Sequence, residues 1–468
     1  MVRMRKAVGQ TLFDKLWRQH TVAELPDGST LLYLDRILLH ERTGSIALKS
    51  LAESGRSIHA PAQATVVIDH IVDTLPGRSD DTLMPGGGAF IRETRQAAAA
   101  AGIRVLDVDD PLQGIVHVVS PELGIAQPGL TLVCPDSHTC TQGALGALAW
   151  GIGSTDCEHA LATQTLAVHK PANMRVRLDG QPAPGVTAKD IILHLIAAHG
   201  AGGGAGHAVE FAGEAVEAMS VEARMTLCNM AVEFAAWTGL CAPDQKVIDY
   251  VEGRPFAPSG EDWRRAVESW RELASDPSAA FDREIVVDVS ALEPQVTWGV
   301  SPQHATGITG RAPEAGEQSV ERALAYMALA PGQSLEGLPI DAAFIGSCTN
   351  SRLSDLRAAA EVLRGRKVAA GVRAICVPGS TQVKRAAEAE GLDTVFRDAG
   401  FEWRESGCSM CFFAGGEHFA ERSRVISTTN RNFENRQGPS VRTHLASPVT
   451  VAASAVAGHI TDPRRLTA

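Results

Sequence analysis

Residues 341–392, DAAFIGSCTNSRLSDLRAAAEVLRGRKVAAGVRAICVPGSTQVKRAAEAEGL, contain two strand-to-helix passages in succession. DAAFIG is an apolar run of strand length, and SCTNSRLSDLRAAAEVLRGRK turns through polar residues into a helix. VRAICV then reads as a second strand, PGST as a turn and QVKRAAEAEGL as a second helix. Further on, VISTT (425–429) leads into NRNFENRQG (430–438). Strands alternating with helices predict an α/β fold with mostly parallel, doubly wound sheets, and such sheets bind ligands beyond the carboxyl ends of their strands. The clusters GSCTNSR, PGS and TTNRNFENR fall at that edge. SGCSMC (406–411) is expected there too, in a loop after a further apolar helix.

The same pattern extends toward the N-terminus. The helical run AFIRETRQAAAAAG (89–102) ends at Gly102, a suitable C-terminal cap, and IRVLDV (103–108) follows. LTLVCPD (130–136) is a short strand ending in a polar turn. After MRVRLDG (174–180) and a proline-rich bend comes TAKDIILHLIAAHG (187–200), a helix with Thr187 at its N-cap. Changes of character near 171 and 288 divide the chain into expected units 1–171, 172–288 and 289–468.

At 468 residues the chain can bury several cores. Its net charge of -11, from 43 basic and 54 acidic residues, repels polyanions at long range and makes nucleic-acid binding an unfavoured reading. Arg3, Arg5 and Lys6 resemble the start of a signal peptide, but GQTLFDKLWRQH follows where an apolar stretch belongs. The uncharged run from Ser137 approaches membrane-spanning length, yet its SHTCTQ opening and its glycines read as a buried, tightly packed segment. The expectation is a soluble, cytoplasmic protein without a membrane partner. Nine cysteines, an odd count in a long chain, fit a reducing compartment, where clustered thiols serve metals or catalysis.

Cys408 and Cys411 form a C-x-x-C, which by spacing alone suits a redox pair, half a zinc site or part of an iron–sulfur site. Cys348, in a polar turn after a strand, is the natural third thiolate. Three thiolates would leave a cluster one open iron, the arrangement of a Lewis acid and not of an electron carrier. Cys376 lies inside an apolar strand and reads as a packed thiol. Candidate acid–base groups sit near strand ends: Asp69 and His70 close ATVVIDH, His117 follows LQGIV, and Asp136 and His138 lie in PDSHT. Asn229 and Glu233, at i and i+4, are expected on one helix face. Arg431 and Arg436 flank a turn and offer guanidinium forks for carboxylates, pointing to an acidic substrate. GAGGGAGH (200–207) loosely imitates a dinucleotide fingerprint but follows a helix where a strand is required.

Taken together, LLYLDRILLHERT, VVIDH, GIVHVVSPELG, CPDSHTCTQGALGALAWGIGSTDCEHALATQTL, MTLCNMAVEFAAWTGLCAPD, YVEGRPFAP, QVTWGVSP, FIGSCTNSRLSDLRAA, PGS, GCSMC and NRNFENRQG resemble the aconitase superfamily in order and over essentially the whole chain. Within it, the resemblance is to large subunits of 3-isopropylmalate dehydratases. It implies three aconitase-like α/β domains around a 4Fe-4S cluster held by Cys348, Cys408 and Cys411. It further implies that Asp69–His70 delivers a proton to a leaving hydroxyl, and that His117 with Asp136 and His138 with Glu233 orient water and substrate. His40, Ser137, Asn229, Asn350, Asn430, Arg431 and Arg436 would line the site. The reaction implied is dehydration and rehydration of a hydroxy-dicarboxylate, here the isomerisation of 2-isopropylmalate and 3-isopropylmalate in leucine biosynthesis.

Single-chain aconitases add a swivelling domain bearing a catalytic serine and substrate-gripping arginines. The sequence closes on HITDPRRLTA without it, which implies a separate small subunit in a heterodimer. Some stretches depart from the family pattern: PDSHT for G-D-S-H-T, HERTGS for H-E-V-T-S-P, FFAGGE after the cysteine pair, and FENRQG for F-E-G-R-Q-G. They admit a paralogue acting on a 2-methylmalate or dimethylmalate. Asn435 stands where the pattern has glycine, in a turn expected to need positive φ.

Overall fold

The computed structural model describes residues 9–467, so Arg3, Arg5 and Lys6 lie outside it. Three parallel sheets carry the architecture. The first contains Arg36–His40, Ala64–Val67, Arg104–Leu106, Thr131–Cys134 and Leu148–Gly151, and the third contains Ala342–Ile345, Arg373–Cys376, Phe401–Trp403, Arg424–Ser427 and Arg442–Leu445. Counted in chain order, the strands of both lie side by side as 3-2-1-4-5. The second sheet, Ala172–Asp179, His207–Ala212, Thr238–Cys241 and Arg283–Asp288, runs 3-2-1-4. Each reverses its direction of growth between strands 1 and 4, and the crevice of a doubly wound sheet opens at that point.

Helices cover the sheets, so their central strands read as unbroken apolar runs. Ala342–Ile345 is buried throughout and pairs in register with Arg373–Cys376 on one side and with Arg424–Ser427 on the other. The first two sheets share one core, running from Leu38, Val66 and Leu132 to Val176 and Val209. The third has its own, built on Ala343, Ile345, Cys376 and Ile426, and receives Ile115 and Val118 from the segment bearing His117. That docking needs a close approach of backbones. Ile115 donates its N–H to Gly379 O at 2.8 Å, and a Cβ on Gly114 would lie 2.5 Å from Ser380 Cα. The PGS turn therefore grips the His117 helix, Val116–Glu122, and does not line a ligand crevice as the sequence suggested.

Two other expectations change. SGCSMC does not follow a helix directly, because the three-residue strand Phe401–Trp403 intervenes and carries it to the carboxyl edge of the third sheet. The helix bearing Asn229 ends at Met230, so Glu233 sits in a 3-10 turn, Ala231–Phe234, and not on the same α-helical face. Thr187 does cap Ala188–His199, its N–H and hydroxyl both donating to Asp190 at 2.8 Å. The run 138–145 is buried throughout, and a Cβ on Gly143 would stand 1.8 Å from Gly239 O. Among the described residues no helix is long and apolar enough to cross a membrane.

Candidate active site

The switch points of the first and third sheets face one cavity of about 130 Å³. From the first sheet come His70, His117, Asp136, Ser137 and His138; from the third come Cys348, Cys408, Cys411, Asn430, Arg431 and Arg436. Arg42, Ile115 and Phe412 complete the wall.

On the first-sheet side, histidines alternate with carboxylates. Asp69, wholly buried, lies 2.6 Å from His70 Nδ1 through Oδ1 and accepts the Val116 N–H through Oδ2 at 2.8 Å. His70 Nε2 lies 3.4 Å from Asp136 Oδ2, and His117 Nε2 lies 2.7 Å from Asp136 Oδ1. Burial opposes the charge on His70, but Asp69, the Cys408 thiol and Asp136 outweigh it and hold the imidazole well above its ordinary range. Burial also works against ionised Asp136, yet His117, His138 and His70 keep it well below the usual carboxylate range. The His40 ring stacks on His70 at 4.0 Å, and burial together with His70 lowers it to about 4, so it stays neutral. His117 Nδ1 is buried without a hydrogen-bond partner.

A second chain of polar groups crosses to the third sheet. His138 Nε2 lies 2.9 Å from Glu233 Oε1, which also accepts from Arg431 Nε at 2.6 Å. Burial raises Glu233, but His138 and Arg431 prevail and lower it. Ser137 Oγ sits 3.3 Å from His138 Nδ1.

Cys348, Cys408 and Cys411 are buried and line the cavity together. Cys348 Sγ accepts from Asn229 Nδ2 at 3.2 Å and from Asn430 Nδ2 at 3.5 Å, while Ser347 Oγ lies 3.3 Å and Arg436 Nη2 3.8 Å from Cys411 Sγ. Burial pushes the Cys348 thiol up to about 12 and Cys408 well up. Cys408 Sγ lies 4.0 Å from Asp69 Oδ2. Three thiols at one cavity, two of them with N–H and O–H donors aimed at their sulfurs, suit metal-bound thiolates, since coordination favours deprotonation and outer donors hold the ligands. The donor set thus fits an iron–sulfur cluster. Cys376 is packed in its strand, fully buried.

Several candidates support the cavity without lining it. His40, Asp69, Asn229 and Glu233 stand directly behind lining groups. Asn350 turns away, donating to Thr226 Oγ1 at 3.1 Å and Asp355 Oδ1 at 2.9 Å. Other supports gave no signal in the sequence. Glu41, wholly buried, accepts the backbone N–H groups of Asp69, His70 and Ile71 and so fixes the Asp69–His70 turn. Lys189, also wholly buried, donates to Thr428 O at 3.1 Å and Thr429 O at 2.6 Å, just before Asn430 and Arg431. Asn435 does adopt positive φ, at 65°.

The family model described as "Aconitase family (aconitate hydratase)" matches residues 14–458. The chain is 53% identical, over 98% of its length and 97% of the relative's, to "3-isopropylmalate dehydratase large subunit 1" of Bradyrhizobium diazoefficiens. A solved structure, the holo-form of aconitase X from Thermococcus kodakaraensis, aligns at 14% identity with a TM-score of 0.45, covering 86% of this chain and 84% of that one. Likeness at that level adds nothing to what the sequence relatives carry. With a family model spanning nearly all of its residues and a relative matched end to end, the chain belongs to the aconitase family.

Proposed function

We propose that this chain is the large, cluster-binding subunit of a heteromeric hydro-lyase that interconverts 2-isopropylmalate and 3-isopropylmalate in leucine biosynthesis. The observation that carries the reading is the end-to-end 53% identity to a protein of that name, in a chain whose three thiols and histidine–carboxylate pairs meet at one cavity. Cys348, Cys408 and Cys411 would hold a 4Fe-4S cluster, which when bound supplies a Lewis-acidic iron for a hydroxyl and a carboxylate.

The rest of the chemistry belongs to side chains. Arg431 and Arg436 meet the substrate carboxylates at the cavity mouth, where Glu233 keeps Arg431 oriented. His70, held protonated, gives its Nε2 proton to the departing hydroxyl, which leaves as water. Asp69 keeps the other ring proton in place on Nδ1. His117 and Asp136 hold the released water for readdition at the neighbouring carbon. The base that removes the carbon-bound proton is expected from the small subunit. Phe413 and Phe433, 43% and 49% exposed, closely follow the cavity residues Phe412 and Arg431 in the chain and offer apolar surface to such a partner. Residues 1–171, 172–288 and 289–468, one parallel sheet in each, would be the three domains, and the compartment would be the cytoplasm.

The test is anaerobic co-expression with a small subunit, followed by assay for the unsaturated intermediate. Turnover of both isopropylmalates is expected. Turnover of a methylated malate without isopropylmalate would remove the leucine assignment.

A further inference from the structure

We propose that the buried pair Glu417–Arg404 is a positioning brace for the C-S-M-C turn and governs how tenaciously Cys408 and Cys411 keep a cluster; this rests on the cluster reading above. Ser409, between the two thiols, has φ +48°, the left-handed region that a residue with a Cβ avoids unless its surroundings impose it. Its surroundings do. The Ser409 hydroxyl donates to Glu417 Oε2 at 2.7 Å, and the Thr74 N–H and hydroxyl donate to Glu417 Oε1 at 2.6 and 2.8 Å. Arg404 donates to the same carboxylate from Nη1 and to Glu402 from Nε at 3.0 Å.

Glu417 and Arg404 are 4% and 3% exposed, so neither charge has water as an alternative partner. One carboxylate therefore joins three segments. Arg404 follows the strand Phe401–Trp403, Ser409 belongs to the thiol turn, and Thr74 lies four residues beyond His70. Two further bonds hold the same turn: Cys408 N–H to Asp69 O at 2.9 Å and Gln437 Nε2 to Met410 O at 2.7 Å. Neither touches the strained residue. Glu417 does, as does the Thr74 hydroxyl, 2.9 Å from Ser409 Oγ, and Glu417 touches no cavity-lining group, so its influence on the site passes through Ser409 and Thr74.

The experiment uses the full chain reconstituted anaerobically with iron and sulfide. Cluster loss in air is followed by visible absorbance and by the EPR signal of the three-iron form, and thermal unfolding of the unreconstituted chain reports on the fold. Glu417→Gln is expected to lose its cluster about 10-fold faster than wild type, the lower end of what removing an outer partner of a metal ligand does. Thr74→Val, which deletes the hydroxyl's contacts with the Glu417 carboxylate and with Ser409 Oγ but keeps the Thr74 N–H bond to Glu417, is expected to lose it about threefold faster with a smaller fall in unfolding temperature than Glu417→Gln. Glu417→Gln with Arg404→Met removes both buried charges, so the unfolding temperature recovers while cluster loss stays fast. Wild-type rates of loss in Glu417→Gln and Thr74→Val, or a wild-type rate restored in the double variant, would overturn the brace. Should Glu417→Gln not fold, Thr74→Val decides. A wild-type chain that takes up no cluster would instead sink the cluster reading beneath it.

Discussion

The first and second sheets are wound alike, 3-2-1-4, before the first adds a fifth strand, yet only one of them builds the site. Beyond strands 1 and 4 of the first sheet stand His40, Glu41 and Arg42 and then Asp136, Ser137 and His138. The corresponding ends of the second sheet are Asp179 and Asp288, and Asp288 merely accepts from Ser290. Among the described residues, nothing from 172–288 lines the cavity; that stretch supports it from behind through Asn229, Lys189 and Glu233. Winding supplies a crevice to every such sheet. Chemistry appears only where titratable groups occupy the strand ends and a second sheet faces them across the gap, as the third does here with its thiols.

The contrast can be broken by substitution, most severely at the thiols. Cys348→Ser, Cys408→Ser and Cys411→Ser are each expected to abolish the brown chromophore and turnover together; activity surviving in any one would detach that residue from the ligand set. Next in size, His70→Gln should lower kcat by about 10²–10⁴-fold with KM nearly unchanged, the range for a lost proton donor. A KM effect alone would make His70 a binding group. The second sheet is tested by a pair. Glu233→Gln, which frees Arg431 and His138, should reduce kcat/KM by about 10- to 100-fold, whereas Asp288→Asn should leave it unchanged. Equal losses would erase the distinction between the sheets.

What the sequence revealed follows the same division. The four-residue apolar strands of the last third were legible because burial on both faces leaves no polar interruption. Phe401–Trp403 was not, being too short to show a pattern and carrying Glu402 in the middle. The thiols and the histidine–carboxylate groups were named by motif. Their supports were missed, since Glu41, Lys189 and Glu417 are ordinary charged residues whose meaning lies in distant partners. The bond from Thr74 to Glu417 spans 343 positions. Asn350, named by motif, faces away from the cavity, which shows that a motif neighbour need not touch what its neighbours touch.

A last effect falls on stability and not on turnover, and concerns Glu122, at the C-terminal end of the His117 helix. Burial raises its carboxyl from 4.5 to about 7, against the lowering influence of the Ser380 hydroxyl and of Arg254 and Arg352. Between those values the folded chain binds the proton and the unfolded chain does not. The contribution of Glu122 to stability therefore falls as pH rises from about 4.5 to about 7 and is flat above, by roughly 3 kcal/mol at most. Glu122→Gln should reduce the difference in stability between unfolding curves taken at pH 5 and pH 8 by that amount, and an unaltered difference would place the titration elsewhere.

The proposed site would hold its cluster by three thiols, and no fourth, leaving one iron open beside His70. Mössbauer spectroscopy of the reconstituted chain with its small subunit, before and after adding 2-isopropylmalate, tests it most directly. A single iron site is expected to shift its signal when substrate arrives while the others stay fixed. A spectrum in which every iron is equivalent and none responds to substrate would contradict it.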